Sequence, residues 1–234
     1  TIMAARQKEN GPMQFNKGTE DKLGAFVQEN ATDGDPESVL KAVDKFCWNT
    51  HWMMHVGDGK GEILDKIVRE AAPKLVLELG TYCAYSTVRM ARLLSDDARI
   101  ITIDPFPTNA SRILAKKAGF TDKITFLKGK GCDVLPTLKS KHNIQSVDMV
   151  FIDHAKEAYL ADLLLIEKHG LLRPGSLVVA DNVVVFKIEN YLNHVRSSGL
   201  YSSSKLHLSR LEYDASDRED LVDGIEASVW KGSA

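Results

Sequence analysis

Between Leu75 and Asp181 the chain alternates short apolar runs with longer amphipathic stretches. The runs Leu75–Leu79, Arg99–Asp104, Ile124–Leu127, Val147–Asp153 and Ser176–Asp181 are dominated by Val, Ile and Leu, which predicts strands buried on both faces. Between them, Tyr85–Leu94, Asn109–Ala118, Asp133–Lys141 and Tyr159–His169 read as helices. Such alternation implies right-handed crossovers and a mostly parallel sheet with helices on both faces. Upstream, Thr19–Glu29, Pro36–Trp48 and Lys60–Ala71 also have helical spacing. Asp35 before Pro36 fits an N-cap followed by proline at the first helical position. Ile63, Ile67 and Val68 share one face of the third helix, and Pro73 closes it. Downstream, Ile188–Ser197 reads as a helix, and Lys205–Glu212 and Ile225–Trp230 alternate like an antiparallel hairpin. The acid-rich stretch Tyr213–Asp223 between those strands is predicted to be an exposed loop. Residues 1–18 are polar, with two glycines and a proline, and are predicted to be disordered. With no internal repeat and no interdomain linker, residues 19–234 are expected to form one α/β domain.

Composition narrows the function classes. The chain is 44% hydrophobic and 26% charged, enough apolar residue for a real core and typical of a soluble protein. Its net charge is -2 with no long basic run, which argues against nucleic-acid binding. No apolar run approaches the ~18 residues of a membrane span, and no signal peptide is evident, so no membrane partner is expected. Cys47, Cys83 and Cys132 are odd in number and lack metal-ligand spacing. They read as free thiols in a reducing compartment, which points to the cytoplasm.

Chemistry gathers where predicted strands end, the place where open parallel sheets bind ligands. The fourth run stops on Asp153, with Lys156 three residues on, and the fifth stops on Asp181-Asn182. Two carboxylates and a carboxamide converging there would suit a hard cation such as Mg2+, with the lysine as a base beside it. Each acid would otherwise simply cap the helix after its strand. The first run leads into Glu78-Leu79-Gly80-Thr81-Tyr82, a glycine turn in the usual nucleotide-cofactor position but without the GxGxxG pattern. Tyr82 would block the close approach of a pyrophosphate, and Glu78 would repel it. An acidic first strand suits a positively charged, phosphate-free cofactor such as S-adenosylmethionine. Asp104, ending the second run, is placed to accept hydrogen bonds from ribose hydroxyls.

The segments WMMHVGDGKG (52–61), VLELGTYCAYSTVRMARLL (76–94), DMVFIDHAKEAYL (148–160) and GLLRPGSLVVADNVV (170–184) resemble the catechol O-methyltransferase family, and the likeness extends from Thr19 to Gly232. It implies a Rossmann-like S-adenosylmethionine-dependent methyltransferase fold, Mg2+ as metal, a small-molecule catechol as partner and a monomer. Carried over by residue, the resemblance makes Asp153, Asp181 and Asn182 the metal ligands and Lys156 the general base. Cofactor contacts fall on Met54, Val56, Glu78, Gly80, Tyr82, Ser86, Asp104, Pro105, Gly131, Cys132, Asp153 and His154. Glu212 becomes the partner of the second catechol hydroxyl and Trp52 an aromatic wall of the substrate pocket, beside Asp153, Lys156, Asn182 and Phe186. The chain departs from the family at Ala155 (usually Trp), Phe186-Lys187 (usually Pro-Gly), Ala84 (usually Gly) and Gly131 (usually Ser). The chemical groups are kept while pocket walls change, and Phe186 is expected to restore some of the stacking area lost at Ala155. Two rivals fit the same plan. One is an O-methyltransferase for another vicinal diol such as a caffeoyl ester. The other is a non-catalytic interaction or trafficking protein, against which the retained Asp153, Lys156, Asp181 and Asn182 argue.

Overall fold

The computed structural model describes residues 18–213 and 222–232. Except for Gly18, the segment predicted to be disordered lies outside them, as does most of the acid-rich loop. Three helices, α1 (Thr19–Asn30), α2 (Pro36–Asn49) and α3 (Gly57–Ala71), precede β1 (Leu75–Leu79). There follow α4 (Tyr85–Ala91), β2 (Arg99–Asp104), α5 (Asn109–Lys117), β3 (Ile124–Lys128), α6 (Gly131–Val134), α7 (Leu138–His142), β4 (Val147–Ile152), α8 (Tyr159–Lys168) and β5 (Leu172–Ala180). The chain ends with α9 (Glu189–Ser197), β6 (Tyr201–Arg210) and β7 (Val222–Trp230). Asp35 caps α2 as expected, its Oδ1 accepting from the Glu37 and Ser38 amides at 3.0 and 3.1 Å.

The strands form one seven-stranded sheet in the order β3-β2-β1-β4-β5-β7-β6. The first five are parallel, while β7 is antiparallel to both β5 and β6. The expected parallel sheet with a C-terminal antiparallel hairpin is thus present. Alternate strand residues face opposite layers. Val76, Met149, Phe151 and Val179 join a core with α1 to α5. Leu77, Leu79, Val150, Ile152 and Val178 join a second core with α7, α8 and α9. Because β1 lies between β2 and β4, successive crossovers leave in opposite directions and open a crevice at the carboxyl ends of those strands.

Several boundaries differ from the sequence pattern, each for a local reason. The helix expected over Asp133–Lys141 is broken into α6, a 3-10 turn at Leu135–Thr137 and α7, because Pro136 supplies no backbone N–H. β5 starts at Leu172, not Ser176, since Pro174 and Gly175 sit in a pairing irregularity. There Leu172 faces Val147 and Leu177 faces Met149. β6 ends at Arg210, which leaves Glu212 in the turn beyond the strand.

Candidate active site

The three strand ends are tied together by backbone. The Gly80 amide donates to the Ile103 carbonyl at 3.0 Å, and the Asp153 amide donates to the Leu79 carbonyl at 2.8 Å. Gly80 has φ 100°, and a Cβ there would lie 2.2 Å from the Asp153 carbonyl oxygen. Only glycine lets the β1 turn press this closely on the end of β4. Tyr82 and Ala84 follow with φ 45° and 65°. Asp104 fastens the turn: its Oδ2 accepts from the Thr81 and Tyr82 amides at 3.0 and 2.9 Å, and its Oδ1 accepts from the Phe106 amide at 2.7 Å. The Tyr82 side chain reaches toward α1, donating to Glu20 at 3.3 Å, with its ring 5.5 Å from that of His55. Pro105, just after Asp104, is half-buried.

Glu78 is fully buried beside this turn. Ser86 and Thr87 hydroxyls donate to its two oxygens at 2.6 and 2.5 Å. Burial pushes its carboxyl up to about 7 against the opposing pull of those hydroxyls. On the far side of the crevice, His154 Nε2 lies 2.9 Å from Asp162 Oδ2, and its ring stacks on Tyr159 at 5.3 Å. Gly131 makes room for this pair, because a Cβ there would lie 2.0 Å from Asp162 Oδ2. The neighbouring Cys132 side chain is exposed. On the approach to α3, Val56 is buried and Met54 half-buried. Trp52 Nε1 donates to the Glu212 carbonyl at 3.3 Å, so the expected aromatic wall touches the expected hydroxyl partner.

The polar centre gathers residues from four elements. Lys156 Nζ donates to Asp153 Oδ1 at 2.8 Å and to the Tyr159 hydroxyl at 2.7 Å. That hydroxyl in turn donates to the Asp181 carbonyl at 3.1 Å. Phe186 lies against the same lysine, whose Nζ is 5.5 Å from the ring centroid. Asp181 is buried at the end of β5, and Asn182, at φ 57°, turns the chain in a left-handed conformation that asparagine tolerates. The Asn182 side-chain Nδ2 donates to Asp223 Oδ2 at 2.7 Å. Among the described residues no three His, Cys, Asp or Glu side chains form a metal-binding group. The expected ligand set holds only two carboxylates, with a carboxamide as third. Asp181 Oδ1 is a buried oxygen whose close partner is the Lys60 ammonium, 2.9 Å away, so a metal ion there would meet an oxygen already facing a positive charge. The donor set fits a hard divalent cation.

Two participants escaped the sequence reading. Lys60 on α3 is buried, and its Nζ lies 2.9 Å from Asp181 Oδ1, 3.0 Å from Asp181 Oδ2, 2.6 Å from Asp223 and 3.2 Å from Glu212. Burial would depress its ammonium, but the three carboxylates outweigh this and hold it well above the ordinary lysine value. Burial raises Asp181 well above the usual carboxylate range, opposed by Lys60. Burial likewise works to raise Asp223, yet Lys60, Asn182 and the Val185 amide prevail and hold it low. Lys60 had a signal: with Leu64, Ile67 and Val68 it lies on the apolar stripe of its helix, an unusual place for a lysine. Asp223 had none within an acid-rich stretch.

Residues 28–191 match the model of a family described as O-methyltransferase. Over 215 residues the chain is 44% identical to catechol O-methyltransferase of Mus musculus, covering 91% of this chain and 79% of that protein. It is 46% identical over 213 residues to catechol O-methyltransferase B of Danio rerio, covering 90% and 78%. It is also 33% identical over 216 residues to transmembrane O-methyltransferase of Homo sapiens, covering 91% and 72%. The chain belongs to the O-methyltransferase family. Among solved structures, the O-methyltransferase TomG from Streptomyces achromogenes superposes with a TM-score of 0.70 at 20% identity, covering 94% of this chain and 100% of that one. TomG shows a shared fold, and the family match with the catechol O-methyltransferase relatives makes the protein an S-adenosylmethionine-dependent O-methyltransferase. The match to the O-methyltransferase model spans Glu78, Gly80, Asp153, Lys156, Asp181 and Asn182, whereas Glu212 and Asp223 lie beyond it. No helix among the described residues is long and apolar enough to cross a membrane.

Proposed function

We propose that this O-methyltransferase transfers a methyl group to one hydroxyl of a catechol, with Mg2+ as its metal. The observation that carries the reading is the meeting of Asp153, Lys156, Asp181 and Asn182 at two adjacent strand ends, with Glu212 on their flank. The 44% identity to a protein named for catechols supports the substrate class.

Asp153, Asp181 and Asn182 would hold the metal, which when bound lowers the pKa of a coordinated hydroxyl and fixes its direction. Glu78, the Gly80–Tyr82 turn, Asp104, Gly131 and His154 would hold S-adenosylmethionine, which supplies the sulfonium methyl. Glu78 would then present negative charge to the sulfonium, and Asp104, which holds the turn in shape, would offer its remaining lone pairs to the ribose hydroxyls. Lys156, as the neutral amine, takes the proton of the hydroxyl that is methylated and becomes an ammonium, its Nζ held in place by Asp153 and Tyr159. Glu212 accepts a hydrogen bond from the neighbouring hydroxyl and so selects vicinal diols. Trp52 and Phe186 cover the aromatic ring. Proximity and orientation supply much of the rate. The protein is expected to act as a monomer in the cytoplasm.

The test is methyl transfer from S-adenosylmethionine to a simple catechol, first with Mg2+ and then with EDTA. We expect turnover that EDTA abolishes. Turnover unaffected by EDTA would defeat the metal assignment. Measurable S-adenosylmethionine binding without turnover would favour the non-catalytic rival.

A further inference from the structure

We propose that Lys60 is a positioning residue, a resident cation that holds Asp181 and Glu212 in place and competes with the divalent metal for Asp181. This rests on the reading of Asp181 as a metal ligand. Three carboxylates from separate parts of the chain converge on one ammonium: Asp181 after β5, Glu212 after β6 and Asp223 in β7. Each is at most 4% exposed, and Lys60 is 1% exposed. An ammonium has three donors and no acceptor, which matches three carboxylates. Asp223 is the fixed end of the clamp. It makes the shortest contact with Lys60, at 2.6 Å, and is itself held by Asn182 Nδ2 at 2.7 Å and the Val185 amide at 3.1 Å. Asp181 is the contested end, since both of its oxygens lie within 3.0 Å of Nζ. A metal ion bound there must share Asp181 with Lys60. Gly57 lets the clamp close, because a Cβ at that position would lie 2.5 Å from Glu212 Cβ.

Charge counting gives the direction. In the resting site before metal binds, with Asp181 ionised as binding to any cation requires, Asp153, Asp181, Glu212 and Asp223 carry four negative charges, and Lys60 and Lys156 carry two positive ones. The balance of two negatives equals the charge of one divalent cation. Without Lys60 the site would be more negative by one, and metal should bind more tightly. Without the Asp223 charge, Lys60 would be under-compensated, and metal should bind more weakly. A lysine that merely fills the core predicts no such opposition of sign.

The experiment is calorimetric titration of Mn2+ alone into wild type, Lys60→Met, Lys60→Gln and Asp223→Asn, with folding verified by circular dichroism. The glutamine variant keeps a donor in the site in case the methionine variant does not fold. We expect Mn2+ affinity to rise at least about tenfold in the Lys60 variants and to fall about tenfold in Asp223→Asn. Unchanged or weakened Mn2+ binding in the Lys60 variants overturns the proposal and leaves the metal site standing. Failure of the wild type to bind Mn2+ overturns both. At saturating Mg2+, the Lys60 variants should show an acceptor KM raised by a larger factor than kcat falls, because Glu212 loses its clamp. An unchanged acceptor KM overturns that part of the assignment.

Discussion

Lys156 and Glu78 show how far single side chains depend on their surroundings. Lys156 is half-buried and held by two hydrogen bonds, neither of them to the cofactor turn. Lys156→Met should therefore lower kcat by about 10²–10⁴, the usual contribution of a positioned base, while S-adenosylmethionine affinity stays within a few-fold. Single-turnover rates beside a binding titration check this, and comparable losses in both would remove the lysine as base. Glu78 carries a pH dependence. Its carboxyl is raised from 4.5 to about 7 in the folded protein. Between those values the folded state binds more protons than the unfolded state, so this group's contribution falls as pH rises through that window. A displacement of that size corresponds to at most about 3 kcal/mol. Glu78→Gln should flatten the decline in stability between about pH 5 and pH 7 relative to wild type, as read from urea midpoints. Parallel profiles for the two proteins would show that Glu78 stays ionised when folded. Lys156 and Glu78 were both legible in the sequence because each stands beside a strand end. Lys60 was legible only as an oddity of helical phase.

Helix α3 shows the same contrast between pattern and tertiary demand among the elements. Three of its first five residues are glycine, a composition that weakens a helix and that drew the expected start down to Lys60. The helix begins at Gly57 all the same, because Asp65 and Lys60 anchor it from the side and Glu212 packs on its first turn. The strands with unbroken Val, Ile and Leu runs were legible almost to the residue, since burial on both faces leaves little freedom in composition. β5 and the α6–α7 segment were not, because a pairing irregularity and a proline act through partners that the local pattern does not contain. The consequence for α3 is testable. Gly57→Ala puts a side chain at φ 74° and into Glu212. We expect a stability loss of about 1–2 kcal/mol from the left-handed conformation. Because Glu212 is displaced, kcat/KM for the acceptor should fall at least about tenfold. Steady-state kinetics with a catechol and a denaturation curve separate the two effects, and an unaltered kcat/KM would show that the Glu212 turn yields without cost to the site.

For the molecule as a whole, the question is what fastens the layer of α1 to α5 so that strand ends and flanking helices keep their spacing. One carboxylate ties α2, α3 and α4 within that layer. Asp65 on α3 accepts two hydrogen bonds from Arg89 on α4, at 2.9 and 3.0 Å, and further ones from Arg92. Arg89 also donates to the Tyr85 hydroxyl at 2.8 Å, and that hydroxyl donates to Asp44 on α2. Asp44 accepts as well from Tyr213, the residue after Glu212, at 2.9 Å. The chain of contacts therefore runs from the helix that bears Lys60, across the helix that follows the glycine turn, to the segment that bears Glu212. Both ends of the Asp65–Arg89 pair are buried, so removing the acid strands a buried guanidinium. Asp65→Ala should cost about 3–5 kcal/mol, measured by urea unfolding. A loss below about 1 kcal/mol would mean that water or neighbouring groups rescue the arginines. Saturating S-adenosylmethionine distinguishes a weakened scaffold from a damaged site. At a ligand concentration of about 100 Kd the folded state gains about 2.7 kcal/mol. Wild type and Asp65→Ala should gain the same amount if the crevice is intact in what remains folded, because Asp65 lies outside the residues expected to touch the cofactor. A markedly smaller gain in the variant would mean that the Asp65 network also shapes the cofactor turn.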